Sequence, residues 1–399
     1  MRQKVLGVVW TFFTTIPWLF PAWHGWCQSR PVLTVQSESA VLMDGTTGQI
    51  LFKKNPEKLF HPASLAKVMT LYLALDAIRS GDAKFDDEVL VSKKAWKMGG
   101  SQMFLEIGDK VKFIELIKGV AAISANDGAL SIAEFLTGSE EVFVYQMNEK
   151  ARALGMKDTH FANPHGLPRE GRHTTAFDMA TLGFHYINEH PDALKFHTLP
   201  EYMYRGIKQK NWNPLLDLDQ GVDGLKTGYL KTAGYHILFS AKKDGRRLIG
   251  VVMGAETAEA RNGDALKLLG YGLKNFSTLT LVKEGDVVGK VKVQNGDPPE
   301  VDLSATETLI VTIRKGMEET IPFRKEIPSS VNPPIRRGTV LGKLILEGEG
   351  FSKREIDLVS NQDAQVRTYA AYFLIGLAVV VAGFAGFVFW KRQGLRKKR

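Results

Sequence analysis

The chain has 399 residues, 44% of them hydrophobic, a single cysteine and a formal net charge of +9. That length accommodates two folded domains and that hydrophobic content excludes wholesale disorder, while one cysteine excludes an intrachain disulfide. The last nine residues carry six positive charges and the first four carry two, leaving +1 for everything between, a distribution that argues membrane topology and gives no support to nucleic-acid binding.

The N-terminal stretch "MRQKVLGVVWTFFTTIPWLFPAWHGWC" is basic and then apolar, which predicts a secretory signal over residues 1–29, with Gly25 and Cys27 as the small residues available before a cleavage site. Residues 30–276 alternate strands and helices, an α+β pattern. "SAVLMDGTTGQILFKKN" predicts a hairpin turning at Gly45 to Gly48. "HPASLAKVMTLYLALDAI" predicts a helix apolar nearly all round, through Leu65, Val68, Met69, Leu71, Tyr72, Leu75 and Ile78, and therefore buried. Residues i and i+3 share a helix face, so Lys67 falls beside the hydroxyl of Ser64. An unpaired charge at that place is expensive. "SANDGA" places Ser124 and Asn126 near the start of another apolar helix, and helices continue to about Glu189. "DGLKTGY" places Lys226, Thr227 and Gly228 on a strand, and "AGYHILFSAKKDGRRLIGVVMGA" reads as two strands joined at Asp244-Gly245.

The composition shifts near Ser277. "VVGKVKV", "TLIVTI" and "GKLILEG" are short β segments between Gly and Pro clusters, which predicts a small antiparallel all-β domain over residues 277–362. "TYAAYFLIGLAVVVAGFAGFVFW", residues 368–390, is uncharged. At about 1.5 Å per residue it covers roughly 34 Å, enough to cross a hydrocarbon core of about 30 Å. Tyr369, Tyr372 and Trp390 mark the interfaces, and the basic tail 391–399 stays in the cytoplasm, which puts the folded part on the extracytoplasmic side. No polar face suggests an amphipathic surface helix instead.

A Ser-x-x-Lys pair alone carries little weight, because a second copy occurs at Ser240 to Lys243. Ser-x-x-Lys, Ser-x-Asn and Lys-Thr-Gly in this order are together the signature of the penicillin-recognising serine acyltransferases, which the chain resembles. A serine hydroxyl is a weak nucleophile that needs a base within hydrogen-bond reach. Lys67 is that base only when neutral, and burial beside the cation Lys226 pushes its pKa down. Ser124 and Asn126 can pass a proton to the leaving amine and hold the substrate amide, while Lys226 and Thr227 offer a cation and a hydroxyl to a terminal carboxylate. Gly228 leaves room for a peptide to add to the strand edge, and the backbone N–H groups of Ser64 and Tyr229 form the expected oxyanion site.

Further segments, among them "DGTTGQILFKKN", "PASLAKVMT", "GSQMFLEIGD", "NPHGL", "HTTAFDMA" and "VDGLKTGY", resemble the low-molecular-mass penicillin-binding proteins that act as D-alanyl-D-alanine carboxypeptidases. The similarity runs from about residue 38 to 276, and the β domain resembles their C-terminal domain. The resemblance implies a penicillin-binding-protein/β-lactamase-like transpeptidase fold, an antiparallel sheet flanked by helices, followed by the all-β domain and a C-terminal transmembrane helix. It also implies removal of the terminal D-alanine from peptidoglycan pentapeptides through an acyl-enzyme on Ser64, with no metal or cofactor and with β-lactam antibiotics as inhibitors. The chain departs from the family pattern at Ala66, Ala125, Trp212 and Leu230; the last two bear on how the peptide is held. A D,D-endopeptidase cutting cross-links and a catalytically silent, membrane-tethered wall-binding protein are the alternatives. A class A β-lactamase is a minor one, since no Glu-x-x-Leu-Asn occurs.

Other groups read more plainly. His160, His165 and His173 lack metal-helix spacing and predict a structural loop rather than a zinc site. Asp217, Asp219 and Asp223 predict a solvated turn rather than a calcium loop. Arg261 reads equally as a carboxylate ligand or a surface salt bridge.

Overall fold

Helix α1 (Ala66–Ser80) lies at the centre of the first domain. Its Ala, Lys, Met and Leu residues propagate a helix without Gly or Pro, and Gly81 ends it at φ 87°, a left-handed geometry that costs a residue with a Cβ. Val68, Met69, Leu71, Tyr72 and Ala74 are all buried, so its first half is core on every side. Around it pack α2 (Phe113–Ile123), α3 (Asn126–Thr137), α4 (Glu140–Ala153) and α5 (Ala176–Glu189). The computed structural model from which this description is taken covers residues 33–218, 220–317, 321–348, 351–368 and 370–396. The signal segment with Cys27, Asp219, Tyr369 and the last three residues of the basic tail lie outside the described residues.

Against the helices lies an antiparallel sheet of β1 (Ser39–Asp44), β2 (Ile50–Lys54), β3 (Val222–Leu230), β4 (Gly234–Lys243) and β5 (Arg246–Ala255), in the order β2-β1-β5-β4-β3. Two glycines set its helix contacts. Gly183 of α5 meets Leu238 and Ile249 on one face, and Gly272 of α6 (Ala258–Asn275) meets Leu248 and Leu42 on the other, so the sheet is clad on both sides. The turn between β4 and β5 has φ of 51° at Asp244 and 76° at Gly245, both positive as a two-residue hairpin turn requires. Two short antiparallel pairs, Glu88–Leu90 with Lys110–Lys112 and Glu201–Tyr204 with Ile207–Lys210, interrupt the helical stretch and the segment after it. Strands of three and four residues are too short to leave a period in the sequence.

The second region holds β6 (Phe276–Val282), β7 (Val287–Val293), β8 (Glu300–Ala305), β9 (Leu309–Arg314), β10 (Phe323–Glu326), β11 (Ser330–Val331), β12 (Val340–Gly348) and β13 (Phe351–Ser360). β6 pairs with β9, and the others form a six-stranded sheet ordered β10-β12-β13-β8-β7-β11. The expectation of purely antiparallel strands needs correcting at one edge, where β11 runs parallel to β7. The chain between β7 and β11, which holds β8, β9 and β10, is long enough to bring it back in the same direction. Val301, Leu303, Leu344, Ile356 and Leu358 form a separate core. Polar groups join the two regions: Thr278 donates from Oγ1 to Asp44 Oδ2 (2.8 Å) and accepts from Arg246 Nε (3.2 Å), while Thr47 and Thr312 share a hydrogen bond of 3.0 Å. Helix α7 (Ala370–Arg396) follows. Its stretch Phe373–Lys391 is long and apolar enough to cross a membrane, and Phe373, Val380, Phe384 and Trp390 are exposed along it.

Candidate active site

Ser64 does not lie on α1 itself. It sits in a 3₁₀ turn, Ala63–Leu65, that feeds α1, and Ala63 enters the turn at φ 49°, in the left-handed region. The strain is held by tight packing. A Cβ at Gly166 would stand 1.8 Å from the carbonyl oxygen of Ala63, and one at Gly228 would stand 3.2 Å from Ala63 Cβ and 3.3 Å from Ser64 N. The serine turn is thus clamped between the "NPHGL" loop and the Lys-Thr-Gly strand, and only glycines permit that approach.

Lys67 is fully buried, and its Nζ donates to Ser64 Oγ at 3.1 Å and to the carbonyl oxygen of His165 at 2.6 Å. Burial first, and then the neighbouring Lys226, holds the Lys67 ammonium well below its ordinary pKa, with Asp127 opposing. The amine that results has two N–H groups and one lone pair. One N–H is committed to His165, which leaves the lone pair able to accept the Ser64 hydroxyl proton.

His165 is itself fixed. Its ring lies 3.7 Å from the buried carboxylate of Glu140, which also takes Lys94 (2.7 Å) and Arg169 (3.0 Å), and Leu167 N donates to its Nδ1 (3.2 Å). Burial, then Lys67 and Arg169, lowers the His165 pKa to about 3, so the ring is neutral at physiological pH.

Ser124 ends α2 at φ 61°, and Asn126 opens α3, so both stand at the joint between two helices. Asn126 Nδ2 donates to Gly99 O (2.6 Å). Asp127 accepts from the backbone N–H groups of Met103, Leu105 and Gly128, which ties the 99–105 loop to this joint. On β3, Lys226 is buried and donates to Thr227 O (3.0 Å). Its pKa falls to about 7, through burial and then Arg261. His197 Nδ1 bonds Leu225 O (2.9 Å) and Asn213 Nδ2 donates to Gly224 O (3.2 Å), which fixes the strand just ahead of Lys226. Tyr229 is half exposed at the far end of β3, and its ring lies tilted by 31° against that of Tyr235, with centroids 4.3 Å apart.

The structure thus brings Ser64, Lys67, Lys226 and Gly228 together around one turn. Arg261 is not the surface salt bridge the sequence allowed: it is 6% exposed, bonds Asn262 Oδ1 through Nε and Nη2, and acts electrostatically on Lys226. The histidines separate, for His165 turns toward Lys67 while His160 and His173 pair across a backbone bridge. Asp217 pairs with Lys210 and Asp223 with Arg247, so neither offers a calcium loop. Among the described residues no group of three or more His, Cys, Asp or Glu is arranged to hold a metal ion. Sequence reasoning missed Gly166, the His165 carbonyl, Asp127 and His197 as supporting groups, although the first three stand inside or next to the quoted motifs.

A serine turn, a buried lysine amine beside it and a Lys-Thr-Gly strand against it are the arrangement of the penicillin-recognising serine acyltransferases. Comparisons narrow this further. Residues 27–257 match the family model described as D-alanyl-D-alanine carboxypeptidase, and residues 276–365 match the one described as penicillin-binding protein 5, C-terminal domain. The D-alanyl-D-alanine carboxypeptidase DacF of Bacillus subtilis is 38% identical over 338 residues, covering 83% of this chain and 86% of that protein. The crystal structure of penicillin-binding protein 5 from Haemophilus influenzae superposes with a TM-score of 0.75 at 34% identity, over 83% of this chain and 98% of that one. Penicillin-binding protein D2 of Listeria monocytogenes, in its ampicillin-bound form, superposes at 0.56 and 30% identity, over 61% of this chain and all of that one. The chain belongs to the D-alanyl-D-alanine carboxypeptidase family of low-molecular-mass penicillin-binding proteins, which are serine-type hydrolases.

Proposed function

We propose that Ser64 is the nucleophile that removes the terminal D-alanine from peptidoglycan pentapeptides, with neutral Lys67 as its base. The observation that carries this is the 3.1 Å contact between the Nζ of fully buried Lys67 and the Oγ of partly buried Ser64. Oγ attacks the carbonyl of the penultimate D-alanine as its proton passes to Nζ. The oxyanion is held by the N–H groups of Ser64 and Tyr229, where losing one donor costs about a hundredfold to a thousandfold in rate. Collapse breaks the C–N bond, Ser124 relays the proton from Lys67 to the leaving D-alanine amine, and Asn126 holds the peptide amide. Water then hydrolyses the ester and restores Ser64. Thr227, Lys226 and Arg261 receive the terminal carboxylate, and Gly228 lets the peptide lie along β3. β-Lactams, with a strained amide and a carboxylate in similar places, acylate the same serine.

The pH profile tests this. A lysine of ordinary pKa would make kcat climb tenfold per pH unit toward pH 10, because the free amine is the active form. Lys67 is depressed well below that value, so kcat is expected to level off well short of pH 10. KM is expected to rise above about pH 7, where Lys226 loses its proton. A kcat that keeps climbing to pH 10 would remove Lys67 as a pre-neutralised base.

We further infer that α7 anchors the chain in a membrane with the serine domain on the extracytoplasmic side, supported by the apolar stretch Phe373–Lys391 and the basic residues that follow it. Truncation after Arg367 should leave the exported protein in the soluble fraction with penicillin labelling intact; retention in washed membranes would contradict the single anchor.

A further inference from the structure

The peptide as placed above has a direction. With its carboxylate at Lys226 and Thr227 and its scissile carbonyl at Ser64 and Tyr229, the upstream residues run past Leu230 toward the turn at 231–233. The surface there is hollow. A cavity of about 430 Å³ opens between Thr232 and Ala233 on one side and Lys58, Phe60, His61 and His173 on the other. His173 also lines a second cavity, of about 800 Å³, together with Tyr145, Asn148, Lys157 and His160. The two hollows adjoin at His173 and make up a groove with that residue as their common wall.

Its floor is built rather than accidental. His160 and His173 exchange both backbone hydrogen bonds (2.9 and 3.1 Å), and their rings stack at 6.1 Å with 27° between planes. Phe60 and Thr174 likewise exchange two backbone bonds of 2.9 Å, which ties this floor to the segment that enters the Ser64 turn. Tyr145 is 63% exposed on α4, an amphipathic ring with little conformational freedom to lose. Lys157 is exposed and has no ion pair among the described residues, whereas Lys58 is paired with Glu38. Ring faces, imidazoles and a free cation suit a ligand of N-acetylated sugar joined to a peptide bearing carboxylates.

We propose that this groove binds the part of peptidoglycan upstream of the scissile bond, the first cavity taking the stem peptide and the second the sugar that carries it. The inference rests on the carboxypeptidase reading, which fixes the direction of the peptide. Binding energy collected so far from the reacting bond acts on kcat/KM for long substrates and leaves short ones unchanged. The test compares two substrates on the detergent-solubilised full chain: a blocked tripeptide ending in D-Ala-D-Ala, and a disaccharide-linked pentapeptide with the same ending. Tyr145→Ala and Lys157→Glu are each expected to lower kcat/KM for the disaccharide substrate by about tenfold, roughly 1.4 kcal/mol, and to leave the tripeptide within about twofold. An unchanged ratio between the substrates in both variants would overturn the groove. So would an equal loss on both, which would mark these residues as structural. Failure of the unaltered protein to cleave the tripeptide would instead overturn the carboxypeptidase reading, so the two failures are distinguishable.

Discussion

Lys67→Arg is expected to lower the rate of penicillin acylation by about a hundredfold to ten-thousandfold, the range that a positioned general base contributes. The substitution keeps the hydrogen-bond donors but fixes a positive charge where the mechanism places a neutral amine. It removes the one property the mechanism needs, since a guanidinium is not deprotonated at any accessible pH. The same buried position that depresses the Lys67 pKa leaves little room for the longer fork, so packing could also suffer. Lys67→Met separates the two causes. It fits an apolar helix, has no charge to desolvate, and should leave the thermal midpoint at or above that of the unaltered protein while acylation is lost. Labelling at the normal rate in either folded variant would take the proton acceptor away from Lys67.

The candidate site was legible because its residues come in three short motifs, each on an element whose pattern is strong: a helix apolar all round, an apolar helix start, and a strand beside a two-residue hairpin. What supports them was not legible, because the contacts join distant segments. Lys67 meets the His165 carbonyl across 98 residues of sequence, and Gly166 reaches Ala63 across a similar span. Neither contact leaves a local period. The expected helix from Ser64 begins as a 3₁₀ turn that runs straight into α1, and Ala63, just ahead of Ser64, takes a positive φ that tertiary packing imposes and local propensity disfavours. Arg261 read equally as exposed because a lone Arg near acidic neighbours has no sequence mark of burial, yet the packing of α6 on the sheet encloses it. The parallel edge of the β domain was hidden likewise, for strand direction depends on the route of the connecting loop.

Trp212 is the departure with the clearest structural setting. Its backbone N donates to Ala122 O (3.3 Å), close to Ser124, and its carbonyl faces Thr227 Oγ1 (3.5 Å), while the side chain is 57% exposed. The segment therefore bridges the Ser-x-Asn and Lys-Thr-Gly segments through its backbone. The indole is a surface choice and removes no group from the mechanism.

The second large effect concerns Ser64 itself, and it tests the central claim most directly. Mass spectrometry would follow a pentapeptide ending in D-Ala-D-Ala, incubated with the full chain in detergent or with its Ser64→Ala variant. The alanine methyl replaces a hydroxyl of similar size in a partly buried turn, so the fold and the glycine contacts at positions 166 and 228 should persist. With the nucleophile gone no ester can form, and loss of triad-type nucleophiles elsewhere costs roughly a millionfold. The account predicts loss of one terminal alanine with the unaltered chain and an intact pentapeptide with the variant. Alanine release at equal rates by both proteins would contradict it.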